Sequence, residues 1–282
     1  MIAKWLPEEY LKTIVLFEIP NEEGEFIPHG TGVLLNYKNA FLLTTCKHIV
    51  LKADGTPYQK LHATINKTDG TTSRKDIDAI HKQFQLKWFF HKNTEVDLAV
   101  SPIAIEQGIE DIKLIPETMF EEFTNIPIGD DVFFLGYPLG LGVKNVSKLS
   151  PLVRVGIVAL KNNNNTFLLD ANVYPGSSGS PVFYKPVIAR HEGTTTNIGS
   201  VRPLKLLGIV NMDISAIEEA VSKRTGRTRA IFEDNAGLGI VQSTSLLKEI
   251  LEYPEVQTIL PKTQEAQSSV EKRPDQNELP NS

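Results

Sequence analysis

"YPGSSGSPVF", residues Tyr174 to Phe183, decides how this chain is read. Two glycines and three serines crowd ahead of a short apolar run. Tight turns take Gly and Ser for backbone reasons alone, so two readings stand side by side: a turn feeding a strand, or a turn that holds one serine out for chemistry. A serine hydroxyl becomes a nucleophile only when a base takes its proton and a carboxylate orients that base. The rest of the chain must therefore supply both.

Six histidines are present, and His48 stands apart. In "AFLLTTCKHIVL" it follows a run that reads as a buried strand and opens a turn or short helix, a place from which a side chain reaches a cleft. In "NTEVDLAVSPI", Asp97 sits at the mouth of an apolar strand, where a carboxylate is costly to bury without a partner. Taken singly, each has a plain structural reading: a core or surface histidine, and a turn aspartate. His81 and His91 are isolated, and no metal-ligand spacing is present.

Around these residues the chain is a series of short apolar and β-branched runs bounded by Gly, Asn, Pro or charge, among them "TIVLFEI", "GVLLNY", "DVFFLGY", "LVRVGIVAL" and "GLGIVQS". That pattern predicts an antiparallel barrel or sandwich. The asparagines of "KNNNN", Lys161 to Asn165, suit a hairpin turn because Asn tolerates positive φ. Helical spacing is clear in "STSLLKEILEY", with Ser243 or Ser245 as cap and Leu246, Leu247, Ile250 and Leu251 on one side. A second helix is expected in "DISAIEEAVSKRTG", from a cap at Asp213 to a stop at Gly226. The strand runs fall into two groups, one ending near Ile103 and one starting near Asp131, so a site assembled from both would lie in a cleft between them. Residues 261–282 are polar and without aromatics, and read as a disordered tail.

Composition narrows the function. The 282 residues are 41% hydrophobic, enough for a substantial core. A net charge of -5 and no Lys/Arg block leave no electrostatic source for gripping nucleic acid or an anionic membrane, and neither is expected as a partner. The amino-terminal segment lacks the features of a signal peptide, and no run reaches membrane-spanning length. With Cys46 as the single cysteine, no internal disulfide forms, and the cytoplasm is the expected compartment.

Several motifs agree in order: "HGTGVLL", "TTCKHIV", "VDLAV", "GYPLG", "PGSSGSP", "LLGIVNM" and "GLGIVQSTSLLKEIL". Over residues 13 to 252 the chain resembles the trypsin-like serine peptidases of the chymotrypsin fold, nearest the disulfide-free bacterial type that includes the heat-stress proteases. The resemblance implies an all-β fold of two antiparallel six-stranded β-barrels with a C-terminal helix. It implies an N-terminal barrel and connector over 1–120 carrying His48 and Asp97, and a C-terminal barrel and terminal helix over 121–260 carrying Ser178. It implies a serine endopeptidase in which Ser178 is the nucleophile, His48 the general base and Asp97 its orienting acid. The backbone amides of Gly176 and Ser178 then form the oxyanion hole. Asn172, six residues before the serine, then lines the pocket for the side chain preceding the cut bond, where the absence of a carboxylate speaks against a Lys or Arg preference. Ser177 stands where relatives activated by cleavage carry an acid, so the oxyanion hole is either always formed or ordered by substrate or a regulatory protein partner. Ser180 replaces a glycine common in the motif. The expected substrate is a polypeptide, with no cofactor and no metal. The competing class is a chymotrypsin-fold binding module that keeps these residues without activity. An α/β-hydrolase is excluded, since G-x-S-x-G fails at Ser180 and only His191 follows the serine.

Overall fold

The computed structural model describes residues 6–143, 148–186, 189–192, 195–198 and 203–260. The tail expected over 261–282 lies outside the described residues.

The N-terminal strands are β1 (Ile14–Pro20), β2 (Phe26–Tyr37), β3 (Ala40–Thr45), β4 (His62–Asn66), β5 (Thr72–Asp76), β6 (Phe89–Phe90), β7 (Ala99–Pro102) and β8 (Ile115–Pro116). They form one sheet in the order β5-β4-β1-β2-β3-β7-β6, with β8 added to β2. All pairs are antiparallel except β2 with β8. The ends of this path, β5 and β6, are separated along the chain by helix α2 (Ile77–Phe84), the second helix after α1 (Lys47–Val50). The Asp76 carboxylate caps α2 by accepting the Ala79 amide at 2.9 Å, which turns the chain out of the sheet where β5 ends.

The C-terminal strands are β9 (Asp131–Gly136), β10 (Leu152–Lys161), β11 (Thr166–Asp170), β12 (Pro181–Tyr184), β13 (Ala189–Glu192), β14 (Thr195–Ile198), β15 (Leu206–Val221) and β16 (Thr228–Ser243). Six of them close a barrel, β10-β11-β16-β15-β12-β9, while β13 and β14 pair only with each other. The fold is thus mostly β, with a closed six-stranded barrel and few helices.

Strand β9 shows how the pattern builds the core. All of Val132 to Leu135 is buried, because alternate side chains serve different interiors. Val132 and Phe134 point into the closed barrel with Val158, Phe167 and Val241. Phe133 and Leu135 face the other way and join the larger N-terminal core. Helix α3 (Thr244–Leu251) lays Leu246, Leu247, Ile250 and Leu251 on that second core, each buried side chain contributing about 1.5–3 kcal/mol. Helix α4 (Pro254–Gln257) follows, its proline at a first-turn position where the missing amide costs nothing.

The hairpin predicted at "KNNNN" joins β10 to β11, with Asn165 at φ 59°. The helix predicted from Asp213 to Gly226 does not form. Ser215 to Val221 instead pair with Thr228 to Asn235, and Gly226 sits at φ 67° in the turn between them. The Ala and Glu residues that favour a helix here are overridden by cross-strand pairing with the β-branched and aromatic residues that follow. Among the described residues no helix is long and apolar enough to cross a membrane.

Candidate active site

A cleft of about 720 Å³ has His48, Asp97, Gly176 and Ser178 in its lining. Its walls come from the segment around α1 on one side and, on the other, from Val173, Tyr174, Met212 and Asp213 of the barrel.

His48 lies in the single turn of α1, directly after β3. Asp97 lies two residues before β7, the strand paired with β3, so the sheet brings two residues 49 positions apart into contact. Both carboxylate oxygens are used: Oδ1 accepts the His48 backbone amide at 2.9 Å, and Oδ2 lies 2.5 Å from Nδ1. A carboxylate only accepts, so Nδ1 carries a proton, and in the neutral ring the lone pair is then on Nε2. Asp97 is fixed in turn, its amide donating to Gln242 at 3.2 Å and its carbonyl accepting from the Lys47 amide at 3.3 Å.

Burial separates the three serines of the turn. Ser177 and Ser180 are fully buried, whereas Ser178 is half-buried and lines the cleft. Gly176 and Gly179 stand at φ 91° and 88°, in the left-handed region. At Gly179 a Cβ would fall 1.7 Å from the Thr31 carbonyl oxygen, so no other residue fits. Neighbouring groups clamp the turn. The Pro175 carbonyl accepts from Leu139 at 2.7 Å, and the Gly179 amide donates to Val210 at 2.8 Å. Thr31 of β2 contributes twice, its Oγ1 donating to the Gly176 carbonyl at 2.7 Å and its amide donating to the Ser178 carbonyl at 2.9 Å. The amides of Gly176 and Ser178 find no acceptor among the described residues. Each is oriented from the far side of its own trans peptide: the Pro175 carbonyl by Leu139, and the Ser177 carbonyl by the Ser180 amide at 3.0 Å.

Asn172 is exposed and is not among the residues lining the cleft; its Oδ1 lies 3.5 Å from where a Cβ on Gly237 would stand. Asp213 lines the cleft instead and accepts from Asn235 Nδ2 at 3.4 Å. Sequence reasoning passed over Thr31 and His29, although both lie in the quoted "HGTGVLL". The His29 ring meets Tyr58 edge-on at 4.6 Å in the cleft wall, and its Nε2 is buried without a hydrogen-bond partner. Burial pushes its pKa below the ordinary histidine value, against a backbone hydrogen bond to Ile49 that raises it, with His48 adding a smaller push downward.

Cys46 is fully buried, its Sγ donating to the Val210 carbonyl at 3.1 Å. Burial above all, with Asp97 adding to it, pushes the thiol well above its usual pKa. One ligand atom each from Cys46, His48 and Asp97 lie within 4.8 Å of one another. A protonated thiol committed to a carbonyl, and an imidazole whose Nδ1 is committed to the carboxylate, do not make an open metal site.

Residues 30–185 match the family model of the trypsin-like peptidase domain. Among solved structures the chain is similar to a serine endoprotease from Yersinia pestis, at 18% identity and a TM-score of 0.47, with 86% of this chain and 63% of that one covered. It is also similar to an HtrA-type protease solved with a tripeptide, at 17% identity and a TM-score of 0.48, with 86% and 60% covered. The chain thus spans less than two thirds of the length of these two structures. No curated protein matches it. The family match runs from Gly30, at the strand that clamps the serine turn, through that turn to Lys185, and on that extent the chain belongs to the trypsin-like peptidase domain family.

Proposed function

We propose that this protein is a serine endopeptidase in which His48, Asp97 and Ser178 act as a triad. The observation that carries the reading is the two-point grip of Asp97 on His48 in the same cleft as the one cleft-lining serine of the turn. In the proposed reaction Ser178 Oγ attacks the scissile carbonyl while His48 Nε2 takes the hydroxyl proton. The amides of Gly176 and Ser178 receive the oxyanion, and their lack of other acceptors supports that role. Collapse of the tetrahedral intermediate breaks the C–N bond, and His48 returns its proton to the leaving amine. Water then attacks the acyl-enzyme by the same route and regenerates the Ser178 hydroxyl. Asp97 stabilises the imidazolium and keeps the tautomer that leaves Nε2 free.

The edge of β15 at Met212 and Asp213 borders the cleft beyond its last pair with β12, which supports an extended polypeptide as substrate, added as a further strand. Asn172 supplies no carboxylate to the side chain before the cut bond, so a basic preference would arise from Asp213 and vanish in Asp213→Asn. The N-terminal sheet stands as the counterpart of the second barrel, with the division near residue 120.

The test is hydrolysis of an unfolded polypeptide. Wild-type protein is expected to cleave it, and Ser178→Ala to lose about 10⁴-fold or more in turnover. A wild-type protein that binds the polypeptide but never cleaves it is instead a binding module of this fold.

A further inference from the structure

Strands β15 and β16 are longer than the barrel they help to close. β12 pairs with β15 only over Leu206–Ile209, and β11 pairs with β16 only over Leu238–Gln242. Beyond these, Ser215 to Val221 and Thr228 to Asn235 pair with each other alone, as a two-stranded arm that starts at the cleft-lining Met212 and Asp213. The arm carries apolar side chains into solvent: Ile217 is 67% exposed, Ile231 64%, Phe232 54% and Val221 52%. A lone two-stranded ribbon is marginal in water, and an unpaired edge with no Lys or Pro on it invites another strand. The outer edge of β16, "TRAIFEDN", has neither.

We propose that this edge pairs with the same edge of a second copy of the chain, antiparallel and about a two-fold axis through Ile231, giving a four-stranded sheet across the dimer. The register follows from charge. In an antiparallel pair opposed side chains share a face, so a two-fold axis must pass through a residue and not between two. Centred on Ile231, the pairing sets Ile231 against its own copy, Arg229 against the second copy's Glu233, and Glu233 against the second copy's Arg229. On the other face Ala230 meets Phe232. Each Arg–Glu contact is thus made twice, flanking an apolar centre. Within one chain Arg229 and Glu233 make no ion pair among the described residues; Glu233 stands opposite Ile217, and Arg229 falls at a register shift. Centring on Phe232 instead sets Ile231 against Glu233 and leaves Arg229 opposite Asn235. The β15 edge offers no alternative, since Ser215 to Val221 carry Glu218 and Glu219 and no cation. Charge therefore selects both the strand and its register.

The experiment is sedimentation of the full chain over a concentration series from micromolar upward. The wild type is expected to approach twice the 31.3 kDa of one chain. Arg229→Glu and Glu233→Arg each oppose like charges twice, and each is expected to raise Kd roughly tenfold or more. Mixing the two variants is expected to restore the dimer, because each then supplies the charge the other needs; a variant that merely misfolded would not be rescued. Glu218→Arg, on the other edge, is expected to leave Kd unchanged. A wild-type monomer at every concentration overturns the proposal. So does a dimer that survives both single variants, a mixture that stays dissociated, or a dimer broken by Glu218→Arg.

Discussion

Thr31→Val tests how the serine turn is held. Thr31 is fully buried, and its hydroxyl makes two bonds: it donates to the Gly176 carbonyl at 2.7 Å and accepts the Tyr137 amide at 3.1 Å. Valine keeps the shape and deletes both. The Tyr137 amide is left buried and unpaired, at a cost of about 1–3 kcal/mol, and loss of the Gly176 bond adds about 0.5–1.5 kcal/mol. The sum is a destabilisation of about 1.5–4.5 kcal/mol, read as a lower urea midpoint at unchanged m-value. The Gly176 carbonyl, on the peptide that links the two donor peptides, also loses its anchor. Outright loss of one oxyanion donor costs about 10²–10³ in rate, so loosening the turn between the two proposed donors should slow reaction with a fluorophosphonate by roughly tenfold. Thr31→Ser keeps the hydroxyl and should stay near wild type in both measurements. If Thr31→Val unfolds and reacts like wild type, the turn is not held by the Thr31 hydroxyl. If it loses stability but reacts at full rate, Thr31 supports the fold and not the site.

Three further outcomes follow from the same geometry. Asp97→Asn should fold normally yet lose about 10⁴-fold in turnover, because an amide that donates to Nδ1 favours the wrong tautomer; near-normal cleavage of a peptide substrate would remove Asp97 from the proposed mechanism. His29 is held below its ordinary value of 6.5, so the unfolded chain binds its proton more readily and stability should fall as pH drops through about 6.5. His29→Phe should flatten that fall only in part, since burial also lowers His81, and denaturation midpoints at pH about 7 and 5.5 would show no difference in slope if His29 were uninvolved. Cys46, buried and held protonated, should resist a maleimide in the native protein and react once the chain unfolds; rapid native labelling would contradict its place beneath the site.

The parts legible in the sequence were those that local chemistry dictates. The run ending at Thr45 reads as a buried strand with a turn or short helix after it, and His48 lies in that short helix, because an apolar run and the break after it are local signals. The positive φ values at Gly176 and Gly179 fit the glycines of the quoted turn. The clamp could not be read, since Thr31 reaches Gly176 across 145 positions and nothing near either residue encodes the contact. The arm was misread for a related reason. "AIEEAV" has helical propensity taken alone, and its strand state depends on the facing "TRAIFEDN" beyond the turn. Asn172, assigned to the pocket by a count along the chain, is not among the residues lining the cleft, which Met212 and Asp213 border where β15 leaves β12.

The proposed triad is tested most directly by reacting the native protein with a fluorophosphonate and mapping the adduct by mass spectrometry. The expected result is modification at Ser178, none at the buried Ser177 and Ser180, and loss of labelling in both Ser178→Ala and heat-unfolded protein. An adduct on any other residue, or undiminished labelling of Ser178→Ala, would contradict the assignment.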